Sequence, residues 1–186
     1  MSSPGSVARD ERLRLFLALQ LPGRVVEALA DWQSRYLHGK IVPPDNLHVT
    51  LAFLGSRPAG ELESICAVLG EAAAAVAPPV FEVVRYRETR SVGMLVLSDR
   101  TGNSTRLAVR LHEELAALGV YKREQRPWLP HVTVIRYRER PRVSPPLALP
   151  LPELSEFAPS GAAAFLSRLH PSGARYEVLE TFQLGG

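Results

Sequence analysis

Two segments of the 186-residue chain carry one pattern: His48-Val49-Thr50-Leu51 and His131-Val132-Thr133-Val134. Each sits in an apolar run that reads as a β-strand, where residues two apart project from the same face. His48 and Thr50 therefore point together, with Val49 and Leu51 turned to the core. His131 and Thr133 do the same, backed by Val132 and Val134. Imidazole titrates near neutrality, so a facing pair can supply one base and one acid. Threonine hydroxyls can donate to the non-bridging oxygens of an anion held between the rings. The combination suits in-line displacement at phosphorus. One imidazole takes a proton from water, the other protonates the leaving oxygen, and the hydroxyls steady the developing charge. The residue types alone leave the two proton roles interchangeable.

Other chemistries find less support. There is no Gly-x-Ser-x-Gly, no phosphate-cradling Gly-x-x-x-x-Gly-Lys-[Ser/Thr] and no His-Glu-x-x-His. The single cysteine, Cys66, excludes an intramolecular disulfide and a multi-cysteine zinc site, and reads as a small buried apolar residue. Two histidines with two threonines lack the carboxylate or thiolate partners of a metal centre, so neither metal nor cofactor is expected. The 22 Lys and Arg against 19 Asp and Glu give a net charge of +3, mild support for an anionic partner. The basic residues are arginines except Lys40 and Lys122, which suits bidentate phosphate contact. With 46% hydrophobic and 22% charged residues, the composition is that of a globular domain and excludes a disordered, collagen-like or coiled-coil chain. No run reaches the length of a membrane span. Leu15–Leu21 mimics a short signal peptide, but Asp10 and Glu11 stand where the positive leader belongs.

The elements that must position the two patterns can be read from periodicity. Strands are expected over Leu13–Leu21, Leu47–Leu54 (closed by Gly55), Val80–Tyr86, Met94–Leu97, Val132–Tyr137, Gly161–Leu169 and Tyr176–Leu184. Helices are expected over Gly23–Leu37, Glu61–Val76 and Ser104–Leu118, the last capped by Asn103 or Ser104. Arg138–Pro152, with five prolines, reads as a linker or surface loop. The order strand, helix, proline turn, His-x-Thr occurs twice. Leu15 to His48 spans 33 positions and Leu95 to His131 spans 36, which suggests a duplicated lobe. If the lobes pack with a pseudo-two-fold relation, both patterns face one cleft.

The doubled His-x-Thr resembles that of the 2H phosphoesterases, and most closely their RNA 2′,3′-cyclic phosphodiesterases, also named 2′-5′ RNA ligases. The likeness runs through Arg14–Leu19, Pro44–Gly55, Pro130–Arg136, Leu166–Leu169, Gly173–Tyr176 and Phe182–Leu184. It departs mildly at Val134-Ile135, where the family often has Leu and a small residue. The resemblance implies an α+β, bilobal fold, two pseudo-symmetric lobes with antiparallel sheets around a central cleft and helices outside. A flexible tail is expected over residues 1–11 and a single domain over 12–186. The implied activity opens RNA 2′,3′-cyclic phosphate ends to 2′-phosphomonoesters, with ATP-independent 2′-5′ ligation as the reverse step. By the same resemblance His48 is the proton donor, His131 the proton acceptor, and Thr50, Thr133 and Arg136 contact the phosphate. The implied partner is RNA with a cyclic phosphate end, met by a cytoplasmic monomer. The alternatives are a phosphodiesterase on 2′-5′ oligonucleotides or small cyclic nucleotides, and an inert RNA-end-binding module.

Two positions conflict with strict strand alternation. Arg136 is five residues past His131, an odd offset that turns it away from the cleft unless a bulge or the strand's end re-aims it. Phe53 stands at the same odd offset from His48 and reads as core. His38, His112 and His170 lack the partner threonine and read as exposed or capping. Arg136, Arg138, Arg140 and Arg142 alternate, either as a lane for an RNA backbone or as a solvated edge with Glu139. Trp128, Tyr86 and Tyr137 are equally readable as base-stacking or core residues.

Overall fold

The computed structural model of the protein describes residues 11–138 and 148–185. The tail expected over 1–11, but for Glu11, and the central part of the proline-rich stretch lie outside the described residues. The strands are β1 (Arg12–Gln20), β2 (Lys40–Ile41), β3 (His48–Pro58), β4 (Phe81–Glu88), β5 (Val92–Asp99), β6 (His131–Arg136), β7 (Gly161–His170) and β8 (Gly173–Phe182). The helices are α1 (Gly23–Tyr36), α2 (Leu62–Ala74) and α3 (Asn103–Ala117). β2, two residues long, has no period of its own and was not legible in the sequence.

All pairings are antiparallel, in the order β4-β5-β6-β3-β1-β7-β8, with β2 also on β6. The expected two lobes are β1, β3, β7, β8 and β2, β4, β5, β6. Their sheets are joined edge to edge in one eight-stranded sheet through a short seam, Val49 paired with Val132. The repeated units β1-α1-β3 and β5-α3-β6 thus meet at their motif strands.

β1 is a near-continuous apolar run because both of its faces are covered. Leu15, Leu17 and Leu19 pack under the helices, whereas Phe16 and Ala18 join Ala163, Phe165 and Tyr176 on the opposite face. The helices bury one stripe each, spaced three and four apart: Val25, Leu29 and Trp32 on α1, Ile65, Leu69 and Ala73 on α2, and Leu107, Leu111 and Leu115 on α3. Burying this apolar face is what holds the strands in place. Cys66 is a free, buried thiol in the same layer, and burial pushes its pKa up to about 12, which leaves it unreactive.

Two expectations change here. β3 runs on through Pro58, because Gly55 (φ +69°) marks an irregularity in its pairing with β1 rather than a stop. The cap of α3 is neither Asn103 nor Ser104, which are already inside the helix. The Asp99 carboxylate accepts from the Thr101 amide (2.9 Å), the Ser104 amide (2.8 Å) and the Thr101 hydroxyl (2.6 Å). Gly102, with φ +71°, lets the chain turn into the helix.

Candidate active site

The seam fixes the geometry of the two patterns. Val49 opposite Val132 in an antiparallel pair sets His48 across from Thr133 and Thr50 across from His131. Residues directly opposite share a face. The four side chains therefore form one cluster about a local pseudo-dyad, on the face away from the helices. Val49, Val132 and Val134 are all buried under those helices. Neighbouring strands floor the cluster with small or apolar groups: Ala18 beside Thr50, Met94 beside Thr133 and Val96 beside His131.

Both imidazoles are held in the same way. His48 donates from Nδ1 to the Asn46 carbonyl at 2.7 Å, and His131 from Nδ1 to the Leu129 carbonyl at 2.8 Å, each two residues upstream. A carbonyl can only accept, so the proton sits on Nδ1 and Nε2 is left for chemistry. In His48 that Nε2 accepts the Thr50 hydroxyl at 2.8 Å. The proline turns ahead of each strand supply these carbonyls. Asn46 closes a short 3-10 turn over Pro44–Asn46, and its amide side chain ties it to the Ala174 carbonyl at 2.8 Å.

His48 sits in an aromatic nest, with ring centroids of Phe16 at 4.9 Å, Tyr176 at 5.5 Å and Phe165 at 6.1 Å. Burial lowers its pKa to about 4, against the opposing pull of the Asn46 carbonyl. The positive charge of Arg136 and the His131 ring add to the lowering. At pH 7 His48 is thus a neutral imidazole. A cavity opens beside it, bounded by Gln20, Glu27, Asp45, Phe165 and Val178.

Strand alternation fails for Phe53 and Arg136, for one reason in both lobes. Against β1, Thr50 pairs with Ala18 and Ala52 with Leu17, so Leu51 is an extra residue. Against β5, Thr133 pairs with Met94 and Ile135 with Gly93, so Val134 is an extra residue. Each bulge sends two consecutive residues to the helix side: Leu51 and Ala52, Val134 and Ile135 are all buried. Position five after each histidine returns to the cleft face. Phe53, expected in the core, is 64% exposed with its ring 5.9 Å from Phe16. Arg136, which alternation turned away, is exposed on the histidine face and its charge is felt by His48. The two are pseudo-dyad equivalents.

His38 is exposed, and His170 is exposed and bonded to the Ser172 hydroxyl in the β7–β8 turn at 2.7 Å. His112, expected at the surface, is instead buried: Nε2 donates to the Leu51 carbonyl at 2.7 Å and the ring stacks on Tyr121 at 4.8 Å. Its three-and-four spacing with Ala108 and Leu115 put it on the inner face of α3, a signal the missing threonine obscured. Trp128 packs on the core and donates to the Thr50 carbonyl at 3.1 Å. Tyr86 lies on the helix side against Trp32, bonded with Tyr137 to Glu88. Arg138 is exposed, whereas Arg140 and Arg142 lie outside the described residues. Among the described residues, no three His, Cys, Asp or Glu side chains gather as a metal site would need, and no helix is long and apolar enough to cross a membrane.

A two-lobed antiparallel α+β fold with one His-x-Thr strand per lobe meeting at a pseudo-dyad defines a phosphoesterase of the two-histidine class. The family model described as LigT like Phosphoesterase matches residues 19–90. The RNA 2′,3′-cyclic phosphodiesterase of Thermus thermophilus is 33% identical over 94% of this chain and 91% of its own length. The Escherichia coli enzyme of the same name is 28% identical over 74% of this chain and 79% of its own length. The crystal structure of E. coli LigT in apo form superposes with a TM-score of 0.77 at 25% identity, covering 95% of this chain and 99% of that one. The chain belongs to the LigT-like family of 2H phosphoesterases.

Proposed function

We propose that this protein hydrolyses RNA 2′,3′-cyclic phosphate ends to 2′-phosphomonoesters, with His48 and His131 as the acid–base pair. The observation that carries the reading is the matched pair of imidazoles, each with Nδ1 tied to a carbonyl two residues upstream, which leaves Nε2 as the unprotonated nitrogen of each ring. The names of its relatives supply the substrate class.

The cyclic phosphate enters as a monoanion. Its non-bridging oxygens take hydrogen bonds from Thr133 and Arg136, and from Thr50 as its hydroxyl turns from Nε2 of His48 to the phosphate. Water attacks phosphorus, and Nε2 of His131 accepts the proton it sheds. The bond from phosphorus to O3′ breaks, and His48 delivers a proton to O3′, leaving the phosphate on O2′. Burial first, then the charges of Arg136 and His131, favour the neutral form of His48. The incoming negative charge offsets that guanidinium and raises the proton affinity of the imidazole, so the acid is charged as substrate binds. Phe53 offers an exposed ring on which a nucleobase can stack. With the 5′-hydroxyl of a second RNA end in the place of water, the same groups join the two ends: Nε2 of His131 takes the hydroxyl proton, the bond from phosphorus to O3′ breaks, and His48 protonates O3′, leaving a 2′-5′ linkage. The chain is read as a monomer of the cytoplasm, to be checked by sedimentation and by fractionation.

The test is to incubate the protein, in excess chelator, with a short RNA ending in a 2′,3′-cyclic phosphate. A 2′-phosphate product, identified by mass and by resistance to a 3′-specific phosphatase, is expected. A substrate with sulfur bridging at O3′ then assigns the roles: thiolate leaves without an acid, so it restores His48→Ala and not His131→Ala. No product from the RNA end, or equal turnover of small cyclic nucleotides, would overturn the substrate assignment. Rescue of the His131 variant alone would reverse the two roles.

A further inference from the structure

Among the described residues four polar side chains are buried: Gln33, Asn103, Ser104 and His112. Two of these do the same thing on opposite lobes. His112, on α3, donates through Nε2 to the carbonyl of Leu51 at 2.7 Å. Gln33, on α1, donates through Nε2 to the carbonyl of Val134 at 2.8 Å and to that of Val42 at 3.1 Å. Leu51 and Val134 are the two bulged residues that follow the His-x-Thr patterns.

A bulge takes a peptide group out of register with the ladder, and in a buried setting that group must find another partner. The Leu51 carbonyl finds His112; the Val134 carbonyl keeps an amide partner, Val42 at 3.0 Å, and Gln33 takes its second lone pair, tying the bulge to the chain after β2. The partners come from across the molecule. α1 belongs to the first unit and reaches the motif strand of the second; α3 belongs to the second and reaches that of the first. Were either strand to lose its bulge, simple alternation would return Arg136 or Phe53 to the helix side and pull it from the cleft.

We propose that Gln33 and His112 are positioning residues: each holds the bulge that aims a cleft residue, Gln33 for Arg136 and His112 for Phe53. This rests on the reading of Arg136 as a phosphate contact and Phe53 as a base platform. Neither positioning residue reaches the cleft itself; His112 acts through one peptide carbonyl and Gln33 through two, on the far side of the sheet.

The experiment is a pair of double-mutant cycles on KM for an RNA 2′,3′-cyclic phosphate oligonucleotide. Gln33→Leu and His112→Leu withdraw the donors, and each is expected to raise KM about tenfold with a smaller change in kcat, the size of one lost buried donor. In the Arg136→Ala background Gln33→Leu should add less than about twofold, as should His112→Leu in the Phe53→Ala background. The crossed pairs should multiply. A merely destabilising role predicts no such pairing, so independent multiplication in all four combinations overturns the proposal. Wild-type KM in both Arg136→Ala and Phe53→Ala would instead strike the reading of the cleft residues, and the proposal with it. His112→Gln provides the arm that does not depend on burying leucine. It keeps an Nε2–H donor of the kind Gln33 uses and should retain wild-type KM, whereas His112→Asn, one methylene shorter, should not. A Gln variant as impaired as the Asn variant would refute the donor's role.

Discussion

The low pKa of His48 makes acid stability a direct probe of the cleft. The ring is charged below about 6.5 in the unfolded chain but below about 4 in the folded one. Between those values the unfolded state binds the extra proton, so stability rises with pH across this window and is lost as pH falls through it. The full gap of 6.5 − 4 = 2.5 pH values corresponds to at most about 3 kcal/mol, at 1.36 kcal/mol each. Carboxylates titrate in the lower part of the same range, so the wild type must be compared with His48→Gln, which carries every ionisable group except this one. Urea denaturation of both proteins at pH 7, 6, 5 and 4 should show the wild type losing stability relative to the variant by up to about 3 kcal/mol. An NMR titration of the His48 ring should place its midpoint near 4 in the free protein. Inorganic phosphate, a mimic of the substrate's charge, should raise that midpoint by shielding Arg136. A stability difference that is flat from pH 7 to 4, or a ring that titrates near 6.5 without ligand, would refute both the buried state and the charging of the acid by substrate.

The remaining expectations are simpler. His48→Ala and His131→Ala should each lower turnover by about 10²–10⁴, measured under single-turnover conditions; a wild-type rate in either would remove that residue from the acid–base pair. Asp99→Ala should destabilise the fold by about 2 kcal/mol, since four donors, the amides of Val80, Thr101 and Ser104 and the Thr101 hydroxyl, lose their acceptor. Burial pushes the Asp99 carboxyl up, but the hydrogen bonds from Thr101 and Ser104 outweigh it and hold its pKa below the ordinary value. Its contribution is therefore present above about pH 4 and fades as pH falls through the lowered folded value, so wild type and variant should converge in strong acid. Gly93→Ala should cost about 1–3 kcal/mol in thermal melts. A Cβ there would come within 2.6 Å of Ile135 Cγ2 and meet the Tyr86 hydroxyl, opposite the Val134 bulge; an unchanged melting temperature would count against that packing.

Local chemistry determined much of this protein. The apolar run of Leu15–Leu19, the three-and-four spacing of Leu107, Leu111 and Leu115, and the turn residues Pro44–Asn46 each specify an element through contacts within a few residues. Alternation over two residues put His48 with Thr50 and His131 with Thr133, each pair on one strand face, and the repeat of strand, helix and His-x-Thr suggested a shared cleft that the pairing of Val49 with Val132 supplies. Alternation over five residues does not hold. Whether Phe53 and Arg136 face the cleft or the core depends on one extra residue in β3 and one in β6, counted against β1 and β5. That count belongs to the strand pair, not to the strand. The buried donors at the bulges, Gln33 and His112, read from sequence as an ordinary helix residue and an exposed histidine, since their acceptors stand 101 and 61 positions away. The depressed pKa of His48 likewise comes from rings of β1, β7 and β8 that close around it only when the sheet assembles. The sequence by itself singled out the groups to which the chemistry is assigned here. Tertiary structure decided which way their neighbours point and how tightly the proton is held, because register and burial are properties of partners brought together from distant parts of the chain.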